Sequence, residues 1–412
     1  MVTVFGLGFV GLTTALGFAY MGRTVYGIDV DEERKARLRK GDLPFLEPKM
    51  DEVLRECLNK TFFVVDDIEK AIEESEYVFY CVGTPYGKDG SADLSYLFQA
   101  IDATINAIND EKYRVIVTKS TIPPSTTSEK IVPYVRKKGK TVEVIGVANN
   151  PEFLREGYCW NDFMEADRIV IGVEDDKSKA MLRKLYSTMD VPVLAVSHNT
   201  GEFIKYLSNT LLATMISYSN EMAEVADTIG DIEVGKAFRI LHMDKRWGNC
   251  NMRSYVYPGC GYGGYCLPKD TNALFAQAKA KGYEAKILKN VIAVNDERAE
   301  VIANKITRGL SKESKIGILG LSFKPDSDDV RDTPAAKVIS KIMEKGYTNI
   351  YAYDPVSIEG FQRCYPNLNI SYLNTANEMM ERCSVCAILT AWDEFRLLSN
   401  DRVIDCRYCI AD

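Results

Sequence analysis

The chain opens on Val2-Thr3-Val4-Phe5 followed by Gly6-Leu7-Gly8-Phe9-Val10-Gly11, an apolar strand that runs into Gly-x-Gly-x-x-Gly and then an alanine- and leucine-bearing helix. That order leaves little choice of local fold. Gly6 permits the tight turn, Gly8 lets a pyrophosphate approach the backbone, and Gly11 lets helix and strand pack closely, with the helix amino terminus facing the phosphates. Residues 24–28 read as the next strand and end at Asp29, about twenty residues on, where a carboxylate accepts hydrogen bonds from the adenosine ribose. An acid there repels a 2′-phosphate, so NAD is expected over NADP. Gly6, Gly8, Phe9, Val10, Gly11 and Asp29 are therefore cofactor-binding candidates, with Arg34 flanking the adenosine. Residues 2–22 carry no charge. Glycines at turn positions, and no basic region ahead of them, argue against a signal or membrane segment.

Short apolar runs then alternate with amphipathic helices, at 77–82, 115–119, 144–148, 169–173 and 191–196. The alternation predicts a parallel, doubly wound sheet through about residue 198. From Asn199 the pattern becomes helical for some thirty residues, too long for an ordinary surface helix. After residue 312 the strand and helix rhythm restarts, with a first turn at 317–324 that lacks the full dinucleotide fingerprint and suits a nucleotide-bearing substrate better than NAD. The expected fold is α/β, with two Rossmann-like doubly wound domains joined by a long central helix. Its divisions are 1–198, which binds NAD; 199–311, which carries the long helix and a reactive cysteine; and 312–412, which binds the nucleotide of the substrate.

A formal net charge of −7 over 412 residues gives no electrostatic footprint for nucleic acid. Eleven cysteines imply free thiols in a reducing compartment, the cytoplasm. Their spacing does not fit zinc, because Cys383/Cys386 and Cys406/Cys409 fall in or beside expected strands, and two histidines are too few for a histidine-rich metal site. No metal is expected.

The segment Gly261-Tyr262-Gly263-Gly264-Tyr265-Cys266-Leu267-Pro268-Lys269-Asp270 carries the chemistry. A thiol is mostly protonated at neutral pH, and a cysteine that attacks carbon needs nearby positive charge or a base. Lys269 and Asp270 offer both, and the glycines let the backbone approach a sugar or base. Lys205 and Asn209 lie four residues apart on the long helix, hence on one face, where both can point donors at an alkoxide. Asn150-Pro151-Glu152-Phe153-Leu154-Arg155-Glu156-Gly157 follows a strand's carboxyl end, and Glu152 and Glu156 are expected to share a helical face. Val82-Gly83-Thr84-Pro85 and Ser120-Thr121 follow two further strands into the same crevice.

The glycine turn, the 150–157 segment, the Cys266 segment and Phe323-Lys324-Pro325 occur in this order over nearly the whole chain, which thereby resembles the UDP-glucose/GDP-mannose dehydrogenase family. The Tyr-Gly-Gly-Tyr run before Cys266 is more similar to its UDP-glucose branch. The resemblance implies four-electron oxidation of a UDP-sugar, UDP-glucose to UDP-glucuronate, with two NAD reduced through a Cys266 thiohemiacetal and thioester. It implies a homodimer formed through the long helix. It assigns Lys205 and Asn209 to the alkoxide, and Glu152, Thr121 and Asp270 to the positioning or activation of water. Glu156, Lys269 and Arg331 join the cofactor residues, and Lys324 and Arg331 supply cations to the substrate diphosphate. Phe153, Leu154, Arg155, Tyr257, Tyr262, Gly263, Phe323 and Lys324 line the substrate, and Arg246 reaches a neighbouring subunit's site. The loop between Arg246 and Cys266 is about four residues longer than the family pattern, a change that pockets feel. GDP-mannose and UDP-N-acetylhexosamines remain open as substrates. A single-step hydroxyacid dehydrogenase, which needs no Cys266, and a noncatalytic nucleotide-sugar sensor also remain open.

Overall fold

The computed structural model describes residues 1–87, 90–139, 143–244, 257–398 and 401–410, and the chain divides into two compact units, Met1–Leu207 and Ser208–Asp412. In the first unit, eight strands are numbered β1 (Val2–Phe5), β2 (Val25–Ile28), β3 (Phe62–Val64), β4 (Tyr77–Tyr80), β5 (Arg114–Thr118), β6 (Ile145–Asn149), β7 (Ile169–Val173) and β8 (Val193–Val196). They form one sheet in the order β3-β2-β1-β4-β5-β6-β7-β8. The order reverses at β1, and the crevice beyond the carboxyl ends of β1 and β4 is where such sheets bind ligands.

Strand residues alternate between two cores. Val2 and Val4 of β1, Tyr77 and Phe79 of β4 and Val115 and Val117 of β5 face one. Phe5, Val78, Tyr80 and Ile116 face the other. Both faces are covered, so these strands read as unbroken apolar runs. The helix Phe9–Tyr20 is buried from Gly11 to Ala19, which explains its uncharged sequence. A Cβ on Gly11 would lie 1.7 Å from the carbonyl oxygen of Gly6, so the first turn closes only around glycine.

The expected parallel sheet holds through β6 and then fails, because β7 pairs antiparallel to β6 through Ala148↔Val173 and Asn149↔Gly172. Strand β8 follows β7 in parallel. A parallel return needs a long crossover across the sheet face. The connection from β6 holds only the six-residue helix Cys159–Met164. The chain therefore re-enters the sheet from the edge it has just left.

In the second unit, the helices Val234–Leu241, Cys266–Ala280 and Lys286–Thr307 precede a parallel five-stranded sheet. Its strands are β9 (Ile316–Leu319), β10 (Ile350–Tyr353), β11 (Ser371–Tyr372), β12 (Val385–Ile388) and β13 (Val403–Asp405), in the order β11-β10-β9-β12-β13. One long helix, His198–Ile229, runs for 32 residues from the end of the first unit into the second. The architecture is two Rossmann-like doubly wound α/β sheets with a long central helix between them in the chain.

Candidate active site

In the first unit the glycine turn has the shape of a phosphate cradle. Gly6 adopts a φ of +84°, and the space where a Gly8 Cβ would point is open to 4 Å. Asp29, at the end of β2, accepts from the Leu7 amide at 2.6 Å and from the Asp31 amide at 2.9 Å. Arg34 pairs with the same carboxylate at 2.9 Å, so it steadies Asp29. Phe9 stacks on Phe45 at 4.0 Å, and the Val10 carbonyl accepts from the Thr14 hydroxyl. Across the crevice, Thr84 donates to the Thr121 carbonyl at 2.9 Å, and Ser120 donates to the Val82 carbonyl at 2.6 Å. The loop bearing Val82, Gly83, Thr84 and Pro85 is thereby tied to the one bearing Thr121.

Next to that crevice, Glu152 and Lys205 form a buried ion pair at 2.8 Å. Glu152 also accepts from the Leu154 amide at 2.7 Å. Burial works against the Glu152 charge, but Lys205, the Leu154 amide and the Lys119 ammonium outweigh it and hold the carboxyl below its usual range. The Phe153 ring lies 4.4 Å from the Arg168 guanidinium and 5.8 Å from Lys205 Nζ. Residues 151–158 form an irregular loop and turn. Glu152 and Glu156 therefore share no helical face. Pro151 disfavours continuation, Gly157 turns at a φ of +83°, and the buried Glu47 carboxylate binds the Gly157 and Cys159 amides at 2.9 and 2.7 Å. Glu152 is buried and Glu156 half-buried, while Arg155 is exposed and paired with Asp162 at 2.6 Å.

The second unit carries another cluster. Cys266 is exposed at the first position of the helix Cys266–Ala280, with Lys269 and Asp270 one turn on and fully buried. Lys269 pairs with Asp270 Oδ1, and Asn209 donates to Asp270 Oδ2 at 2.6 Å. Burial pulls the Lys269 ammonium down, but the charges of Asp270 and Cys266 prevail and raise it above its ordinary range. The Tyr265 ring lies 4.6 Å from the Arg331 guanidinium, which also grips Asp329 at 2.6 Å.

The glycines before Cys266 serve close packing of the chain on itself. A Cβ on Gly261 would meet Asn295 Oδ1, one on Gly263 the Asp332 carbonyl, and one on Gly264 the Phe323 ring. Phe323 is thus brought against the cysteine loop, with Lys324 Nζ 5.7 Å from its ring. The ring of Tyr262 is buried with Ala213 and Val291, and its backbone amide donates to Asn295 at 2.7 Å. Tyr257 donates to the Tyr408 carbonyl at 3.0 Å. Arg246 lies outside the described residues.

Residues 1–190 match the NAD binding domain of the UDP-glucose/GDP-mannose dehydrogenase family, 199–297 its central domain and 317–412 its UDP binding domain. The chain belongs to this family. Relatives include the UDP-glucose 6-dehydrogenases of Rickettsia bellii, 36% identical with 98% of this chain and 92% of that protein covered, and of Bacillus subtilis, 35% identical with 96% and 84% covered. Among solved structures, a UDP-glucose dehydrogenase from Pyrobaculum islandicum superposes with a TM-score of 0.92 at 34% identity, covering 99% of this chain and 94% of that one. A UDP-D-ManNAc dehydrogenase from Pyrococcus horikoshii gives 0.83 at 25% identity, covering 97% and 91%. The open Gly8 cradle and Asp29 fit the NAD of this family's first domain. Among the described residues no helix is long and apolar enough to cross a membrane.

The second sheet of this chain has its own acidic strand end, Asp354, after β10. Its Oδ2 accepts from the Leu321 and Ser322 amides, the Ser322 hydroxyl and the Trp392 indole, and its Oδ1 from the Val356 and Ser357 amides. These donors occupy a carboxylate's accepting positions. Sequence reasoning missed Glu47, Lys119, Asn150, Tyr186 and Asn295 as supports of these clusters. Lys119 alone had a visible cue, a lysine closing an apolar strand immediately before Ser120-Thr121.

Proposed function

We propose that this NAD-dependent enzyme is a UDP-glucose 6-dehydrogenase that oxidises the C6 alcohol of UDP-glucose to the carboxylate of UDP-glucuronate. The observation that carries the reading is the exposed Cys266 heading a helix, beside a buried ammonium that Asp270 and Asn209 fix in place. Positive charge and a helix amino terminus both favour a thiolate. When bound, NAD accepts the hydride released from C6. Gly6, Gly8, Gly11, Asp29 and the tied loops at 82–85 and 120–121 hold and orient it.

At the aldehyde stage, Cys266 Sγ bonds to C6 and gives a thiohemiacetal, which retains the hydrogen that the second oxidation removes. Water then cleaves the thioester, releasing the acid and restoring the thiol. Glu152 and Lys205 handle the hydroxyl proton. Lys205 and Asn209, on one helical face, donate to the developing alkoxide, an interaction whose loss typically costs about 3–4 kcal/mol. Thr121 and Asp270 position the water, and Lys324 and Arg331 offer cations to the diphosphate. In this scheme residues 1–198 bind NAD, 199–311 carry the dimer helix and the thiol, and 312–412 bind the nucleotide.

A row of exposed apolar side chains on the long helix, Phe203, Leu207, Leu211 and Tyr218, supports a homodimer. The cytoplasm is the compartment proposed. The experiment is NADH formed per mole of limiting UDP-glucose with NAD in excess. Two are expected. One would remove the thioester stage and favour a single-step dehydrogenase, and none would redirect the assignment to GDP-mannose or an N-acetylated UDP-sugar.

A further inference from the structure

Lys119 follows β5 at the carboxyl edge of the first sheet and is buried, with 5% of its surface exposed. Among the described residues the one hydrogen bond of its side chain runs to Asn150 Oδ1, at 2.8 Å. Asn150 is itself held, because Tyr186 donates to the same oxygen at 2.6 Å and the Asn150 amide donates to the Val170 carbonyl at 2.7 Å. The amine is therefore fixed in place by a neutral partner that offers no charge in return. Burying an ammonium against a neutral acceptor is costly, and hydrophobic packing of this sheet edge would not require it.

Among the described residues, Cys81 beyond β4, Tyr186, Glu152 and Lys205 face Lys119. Burial pushes the Cys81 thiol up to about 12 and raises the Tyr186 hydroxyl further. Both are neutral near pH 7. The charged neighbours of Lys119 are therefore the Glu152–Lys205 pair. An ion pair favours the charged form of both partners, and an ammonium kept charged is a poor base. A second cation beside the same carboxylate loosens the hold on the Lys205 proton and keeps Glu152 ionised.

We propose that Lys119 is a positioning residue for the oxidation, one whose fixed charge sets the proton affinity of the Glu152–Lys205 pair. The inference rests on the assignment of that pair to the hydroxyl proton. Burial, with the Lys205 charge adding to it, lowers the Lys119 amine to about 8, and the Glu152 carboxylate opposes that shift.

The test is the pH profile of kcat/KM for Lys119→Met and Lys119→Arg, read from NADH formation. The rising limb is a macroscopic property of the three coupled groups. Loss of the neighbouring positive charge lets the pair hold its protons more tightly, so in Lys119→Met the limb moves to higher pH by on the order of one unit. Lys119→Arg keeps the charge and restores the limb. If the methionine variant does not fold, Lys119→Gln, which keeps a donor for Asn150 and loses the charge, is read in the same way. A profile scaled down uniformly with its limb in place would overturn the proposal and leave Lys119 as packing. The NADH yield of the unsubstituted enzyme tests the reaction itself, so the two failures are told apart.

Discussion

Asp270 is fully buried and binds two donors, Lys269 Nζ on one oxygen and Asn209 Nδ2 on the other. It is the fixed point at which an ammonium and an amide are held. Cys266 lies one turn away and exposed, so the thiol proposed as nucleophile is the exposed member of an otherwise buried group. For Cys266→Ser we expect binding to survive and acid output to fall, with an aldehyde-level product accumulating. An alcohol is a weaker nucleophile, and an oxygen ester resists hydrolysis more than a thioester does. Mass spectrometry of the sugar nucleotide checks this, and normal acid output would remove the covalent role. Lys205 shows the same economy of placement, since the amine that sequence alone leaves among apolar neighbours meets Glu152 at 2.8 Å.

At the scale of elements, the loop after β6 decides most. It bears Glu152, carries no helix until Cys159, and is closed by Glu47 from more than a hundred residues earlier. Glu47→Ala removes two hydrogen bonds to a charged acceptor, each worth about 1.5–3 kcal/mol. We expect a lower melting temperature and a kcat/KM for the sugar nucleotide lowered about tenfold or more, because small misplacements at a reacting centre are costly. A melting temperature and kcat/KM equal to the parent's would show that the loop holds itself. Local signals were well preserved in the sequence: the glycine turn and the long helix, expected over some thirty residues and found over 32, depend on neighbours within a few residues. The reversal at β7 and the supports Glu47, Asn150 and Asn295 were not legible. Each depends on a partner dozens of residues away, and no periodicity records such a meeting. The expected helical face for Glu152 and Glu156 failed for the same reason, since Pro151 and Gly157 marked the turn but Glu47 fixed it.

For the whole molecule, the long helix leaves Leu211 56% exposed in line with Phe203, Leu207 and Tyr218. Leu211→Glu places a charge in that row and, if the proposed homodimer forms through it, is expected to shift that dimer towards monomer in light scattering at working concentration. A parent chain that is already monomeric would remove the dimer. The two sheets handle their acidic strand ends differently. Asp29 makes few internal bonds and stands beside an open glycine turn, whereas Asp354 is enclosed by amides, a hydroxyl and an indole. A ribose arriving at Asp354 finds no lone pair to receive its hydroxyls. On the reading proposed above, NAD is therefore expected to settle at the glycine turn of the first sheet rather than beside Asp354.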